Sequence, residues 1–114
     1  MTEASEERRR WPRHKYKTRI WLDLGAGLEP VPTTSVNISA RGLLIESEKM
    51  LALDSNVRIS IELPFFSDPI KALGRVVRIA TGGVGERKRF GIDLVAVEGV
   101  TEEQLHSFLD SLLG

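Results

Sequence analysis

Two short segments hold the side chains best suited to chemistry. Arg9-Arg10-Trp11-Pro12-Arg13 sets Arg9 and Arg13 four positions apart, and Asn37-Ile38-Ser39-Ala40-Arg41-Gly42 gathers an amide, a hydroxyl and a glycine within six residues. A guanidinium is a planar fork of donors that holds phosphate bidentately, meets guanine at O6 and N7, or stacks on a base. Two of them on one arm suit a ligand that carries both phosphate and purine. Asn37 and Ser39 offer acceptors that suit the N–H groups of a guanine Watson–Crick edge. Gly42 permits a positive φ or a ligand approaching the backbone with no Cβ in the way. Each segment alone is weak evidence; the two together, about 24 residues apart, are strong.

Other chemistry finds little support. Cysteine is absent, which removes disulfides, thiolate nucleophiles and Cys-based metal sites. His14 and His106 are far apart and lack the companions of a metal set. Ser5, Ser35 and Ser39 sit in no triad pattern. Gly82-Gly83-Val84-Gly85 lacks the GK[ST] ending of a phosphate loop and runs into a strand pattern, so it reads as a strand connection. The expectation is a protein that is not an enzyme, with no metal and no cofactor.

The net charge of 0 conceals an asymmetry. Seven basic residues and no acidic one lie between Arg8 and Arg19, whereas the chain from residue 20 onward has 9 basic and 13 acidic residues. Such a block calls for an anionic partner or full solvation. No apolar run approaches the roughly 20 residues that cross a bilayer, and MTEASEERRR has no apolar region behind it to act as a secretory signal. A cytoplasmic protein without membrane insertion is expected.

The elements that must position these groups are mostly strands. A flexible basic arm is expected over residues 1–16, and one folded domain over 17–114. Thr18 to Leu24 and Val57 to Leu63 alternate with period two, as half-buried strands do. Thr33 to Ile38, Leu43 to Ile45 and Ile70 to Ile79 are further strands, with Gly74 marking a bulge or close approach. Pro30 and Pro32 are expected to keep their segment out of a central strand. Arg89 to Val97 should place Phe90, Ile92, Leu94 and Ala96 on one face, and Trp21, Phe65 and Phe66 are read as core rather than interface. Thr101 and Gln104 form a capping-box pattern before a helix of about 12 residues, whose Leu105, Phe108, Leu109 and Leu112 share a face. Five or six short strands and one late helix predict a mainly β protein, a closed or nearly closed antiparallel barrel.

With these motifs in this order, the chain resembles the PilZ domain family of bacterial cyclic di-GMP receptors. Its two patterns, RxxxR in an N-terminal arm and [D/N]xSxxG at a strand end, stand here as Arg9–Arg13 and Asn37–Gly42. Leu43-Leu44-Ile45, Gly74-Arg75-Val76-Val77-Arg78 and Phe90-Gly91-Ile92 add to the likeness, which spans about residues 7–113. The resemblance implies a six-stranded antiparallel β-barrel with a C-terminal helix and an arm that folds over the nucleotide. It implies that Arg9 and Arg13 hold phosphates and guanine faces, and that Asn37, Ser39 and Gly42 bind guanine from the barrel. Arg8, just before the first motif, is implied to influence whether one or two stacked nucleotides are held. Asn37 departs from the aspartate option by offering one acceptor oxygen where a carboxylate accepts two N–H bonds.

Three functions follow as expectations. The first is a cyclic di-GMP receptor signalling to an unidentified downstream protein. The second is a protein–protein adaptor with this fold that binds no nucleotide. The third, nonspecific nucleic-acid binding by the arm, leaves Asn37 and Ser39 without a role, so no DNA or RNA partner is expected.

Overall fold

Alternation of branched apolar residues builds a closed wall of strands. The protein, described here from a computed structural model, is defined over residues 12–25, 27–64, 66–80, 85 and 87–113. Its strands are β1 (His14–Lys15), β2 (Arg19–Asp23), β3 (Val31–Ile38), β4 (Gly42–Ser47), β5 (Asn56–Ile61), β6 (Ile70–Ala80) and β7 (Lys88–Val97). Strands β2 to β7 pair antiparallel in the order β3-β2-β5-β6-β7-β4, and β4 returns to β3 to close a six-stranded barrel. The short β1 continues the line of β2 along β3 after a break at residues 16–18. Among the described residues a single helix, α1 (Glu102–Leu113), follows β7.

The barrel is filled from each of its six strands, β2 to β7. Ile20, Leu22, Ile38, Leu43, Ile45, Ile59, Ile61, Val76, Phe90 and Ile92 are buried in one cluster, joined by Leu105 and Leu109 from α1. The capping box forms as expected: the Thr101 N–H donates to Gln104 Oε1 at 2.9 Å, and the Gln104 N–H donates to Thr101 Oγ1 at 3.1 Å.

Bulges shift the strand parity in three places, and each changes which residues face the core. The register of β3 slips between Ser35 and Asn37, leaving Val36 as the surplus residue. Thr33 and Ser35 therefore point inward, but so does Ile38, and Asn37 turns outward. A shift between Leu73 and Gly74 skips Val95 on β7, so Val97 packs against the core while Ala96 is exposed. That corrects the expectation that Ala96 shares the face of Phe90. The expected close approach at Gly74 is present, since a Cβ there would lie 2.6 Å from Ile92 Cγ2. A third shift makes Val77 surplus on β6.

Pro32 meets its expectation, whereas Trp21 and Phe66 do not. Pro32 lies inside β3, opposite Trp21, but β4 pairing starts only at Thr34, so the proline occupies a stretch with one neighbouring strand. Trp21 is half-buried on the outer face, its indole N–H donating to Glu62 Oε2 at 2.6 Å, with the Arg19 guanidinium 5.6 Å from the ring centroid. Phe66 is 38% exposed and meets Phe108 edge-on at 4.3 Å, bracing α1 rather than filling the core. Phe65 lies outside the described residues.

Candidate nucleotide-binding site

A buried serine positions the start of the described chain. Ser35 is 2% exposed, yet its hydroxyl is fully used: Oγ accepts the Thr18 N–H at 2.9 Å and donates to the Tyr16 carbonyl at 2.6 Å. The Ser35 N–H donates to the Thr18 carbonyl at 2.9 Å. These bonds carry the chain through its break and set β1 beside the end of β3, with His14 opposite Ile38 and Lys15 opposite Asn37. Tyr16 packs against the core from there.

Arg13 then reaches the second motif. Its Nη1 donates to Asn37 Oδ1 at 3.4 Å. The two halves of the sequence pattern, 24 residues apart, thus meet on the outside of the barrel. Arg8 and Arg9 lie outside the described residues. Lys15 and Lys17 are exposed nearby, extending the positive character along β1 and its continuation.

The other two members of the second motif are held by the hairpin. Ser39 is 5% exposed, and its Oγ accepts the N–H groups of Arg41 at 3.3 Å and Gly42 at 3.2 Å while donating to the Gly42 carbonyl. The Ser39 N–H also donates to that carbonyl, at 2.8 Å. A hydroxyl turning back on its own backbone closes the loop between β3 and β4. Gly42 does not use a positive φ. A Cβ there would stand 2.7 Å from the Ile92 carbonyl oxygen, so the glycine is required by the close passage of β7. Of the three residues, Asn37 alone presents its polar side chain to the outer face.

Surrounding contacts hold this hairpin in place. The Leu94 N–H donates to the Arg41 carbonyl at 2.7 Å, and Arg41 Nε pairs with Glu102 at 3.3 Å, tying the loop to the first turn of α1. On the next row of the wall, Arg89 pairs with the half-buried Glu46 through Nε and Nη2, both at 2.9 Å. A concavity of about 250 Å³ lies there, lined by Lys17, Thr34, Ser35, Glu46, Arg87 and Arg89. That is smaller than the roughly 300–1,000 Å³ of a complete ligand pocket and fits a fragment such as one phosphate or one base. A second groove of about 410 Å³, among Asp23, Arg58, Lys71 and Glu98, balances its charges and contains none of the motif residues.

No group of three metal-ligating side chains occurs among the described residues. His14 Nε2 is buried without a hydrogen-bond partner there. The roles of Ser35 and of the Val36 bulge were not evident in the sequence. The only signal was a small polar residue within a run of β-formers, at the parity that the alternation assigns to the core.

The chain matches the PilZ domain family model over residues 7–111. Its fold is similar to that of the Bacillus subtilis inhibitor of motility, MotI/DgrA, with a TM-score of 0.73 and 19% identity, over 91% of this chain and 50% of that one. It is equally similar to Escherichia coli YcgR, solved in complex with c-di-GMP, with a TM-score of 0.73 and 16% identity, over 92% of this chain and 46% of that one. At these identities the likeness shows the fold, and the chain spans about half the length of both proteins. A search of curated proteins by sequence found no match.

Proposed function

The chain belongs to the PilZ domain family, and on that premise we propose that it is a cyclic di-GMP receptor in the cytoplasm. In this reading it acts as a sensor and adaptor rather than an enzyme, and passes the signal to a partner protein. The observation that carries the reading is the meeting of Arg13 and Asn37 at 3.4 Å on the outer face. A phosphate-and-guanine fork and a guanine-edge acceptor stand side by side there, ready to share one ligand.

The mechanism is a charge-driven closure. Seven unopposed cations between Arg8 and Arg19 repel one another. A dianionic cyclic dinucleotide neutralises part of that charge and bridges Arg8, Arg9 and Arg13 to Asn37 on the rigid wall. Ser39 and Gly42 act in this reading by shaping the hairpin that presents Asn37. The YcgR complex supports the ligand class by likeness of fold. Calorimetric titration with cyclic di-GMP tests the proposal: saturable binding to wild type that weakens in Arg9→Ala and Arg13→Ala is expected. Unchanged affinity in both variants removes the arm from the site.

A second reading, an adaptor that keeps the fold without binding nucleotide, draws on one observation. Ser39 and Gly42 are fully accounted for by hairpin packing. Backbone amide spectra separate the two readings. Shifts at residues 13–15 and 37–42 on adding cyclic di-GMP favour the receptor, and silence at millimolar nucleotide favours the adaptor.

A further inference from the structure

The wall farthest from Asn37 carries an ordered set of charges. In the closed strand order, β5 and β6 lie across the barrel from the seam of β3 and β4. The register sets Asp23, Arg58, Leu73 and Ala96 in one row across β2, β5, β6 and β7. Trp21, Ser60 and Lys71 form the next row, and Glu98 extends it, its N–H donating to the Lys71 carbonyl at 2.9 Å. Leu22, Ile59 and Ala72 between the rows are buried in the core, so both rows face outward. All of these outward residues except Trp21 line the groove of about 410 Å³.

Arg58 stands opposite Asp23 and Lys71 beside Glu98, yet neither cation is in an ion pair among the described residues. Glu46 and Arg89, set opposite each other in the same way, do close to 2.9 Å. Arg58 and Lys71 are diagonal neighbours, about 7–8 Å apart, with the half-buried Ser60 and Leu73 between them. The groove thus has two cations at its centre and one anion at each end, a pattern that repels a nucleic-acid backbone at both ends. Here β5 and β6 are paired on both sides, so no further strand can add. A helix laid on the outer face of the sheet is the element that fits.

From Asp23 to Glu98 the charges cross three strand spacings, about 14 Å, and step about 7 Å along the strands, a diagonal of about 16 Å. A helix covers that length in about 11 residues, and its positions i, i+4, i+7 and i+11 share one face. We propose that this groove is the docking surface for the partner protein, and that its occupant is a partner helix with acidic residues at i+4 and i+7 and basic residues at i and i+11. The carboxylates meet Arg58 and Lys71, and the basic ends meet Asp23 and Glu98. A second copy does not supply this helix, because α1 contains no lysine or arginine. The inference rests on the adaptor part of the reading above, and it requires no bound nucleotide.

Two capped, alanine-rich peptides serve as probes. One has lysine at i and i+11 and glutamate at i+4 and i+7, and the other has the two residue types exchanged. Backbone amide spectra of the wild-type protein are expected to shift at residues 58, 60, 71, 73 and 96 with the first peptide and to stay still with the second. Arg58→Gln/Lys71→Gln, which alters two exposed side chains and adds no charge, should bind the first peptide about tenfold more weakly. A melting temperature matching wild type confirms that this variant is folded. Equal response to both peptides, shifts confined to the arm, silence at millimolar peptide, or wild-type affinity in the double variant each overturns the inference. Cyclic di-GMP binding is titrated separately on the same wild-type protein, so loss of this surface leaves the receptor reading standing.

Discussion

Arg13 and Asn37 are joined by a 3.4 Å hydrogen bond, and the strand pairing directly beside it, Lys15 opposite Asn37, keeps the two within reach. Arg13 is exposed and Asn37 half-buried, so one partner is mobile enough to engage a ligand while the other is anchored in the wall. Charge-assisted hydrogen bonds contribute about 1.5–3 kcal/mol. Arg13→Ala should therefore weaken cyclic di-GMP binding roughly 10- to 100-fold, at about 1.4 kcal/mol per decade. Asn37→Ala should weaken it too, and the double variant should lose less than the sum. Calorimetry on the four proteins of this cycle checks the coupling.

Asn37→Asp should tighten binding. A carboxylate accepts two N–H bonds from a guanine edge and strengthens the pairing with Arg13. An affinity gain of several-fold is expected, with an unchanged melting temperature because the side chain sits on the outer face. A loss of affinity would show that Asn37 faces an acceptor rather than a guanine N–H.

Ser39→Ala and Gly42→Ala should act on folding first. Removing the Ser39 hydroxyl leaves the buried Gly42 N–H and the part-buried Arg41 N–H without this acceptor, at about 1–3 kcal/mol. A Cβ at residue 42 collides with backbone at 2.7 Å, and overpacking of this kind costs about 1–3 kcal/mol. Thermal unfolding should show a drop of roughly 4–8 °C per kcal/mol in both variants. A Gly42→Ala protein that melts like wild type yet fails to bind nucleotide would assign the glycine to ligand approach instead.

Thr101→Ala should lower stability by about 1 kcal/mol without altering nucleotide affinity. It removes the hydroxyl that accepts the Gln104 N–H, and none of its bonds involves the Arg13 and Asn37 face. Denaturant titration together with a binding isotherm measures both halves of this expectation.

Much of the fold was legible from alternation alone, because a strand with one wet face writes its burial into every second residue. The wall from Arg19 to Leu22 and from Val57 to Ile61 follows that rule residue by residue. The helix was legible from its cap and from the stripe of Leu105 and Leu109, which are both local signals. Ala96 was misassigned because the bulge at Val95 arises from pairing with β6, which no window along β7 contains. Pro32 is kept from a central position as expected, because β4 begins to pair only at Thr34 and its missing N–H faces no strand. In the site, residue types announced Arg13 and Asn37, but a local pattern could not separate Asn37, which faces outward, from Ser39 and Gly42, which build the turn. The contribution of Ser35 was hidden because its partners, Tyr16 and Thr18, lie 19 and 17 residues away.

Val36 touches neither motif partner in any bond described above, yet it decides on which side of the wall Asn37 stands. Were Val36 paired in register instead of bulged, simple alternation from the inward Ser35 would turn the amide toward the core, whereas deleting it would leave Asn37 opposite Leu44 on the outer face. The outward placement of Asn37 thus depends on an odd count as much as on residue type: Ser35 and Ile38 both face inward because one of the two residues between them is surplus.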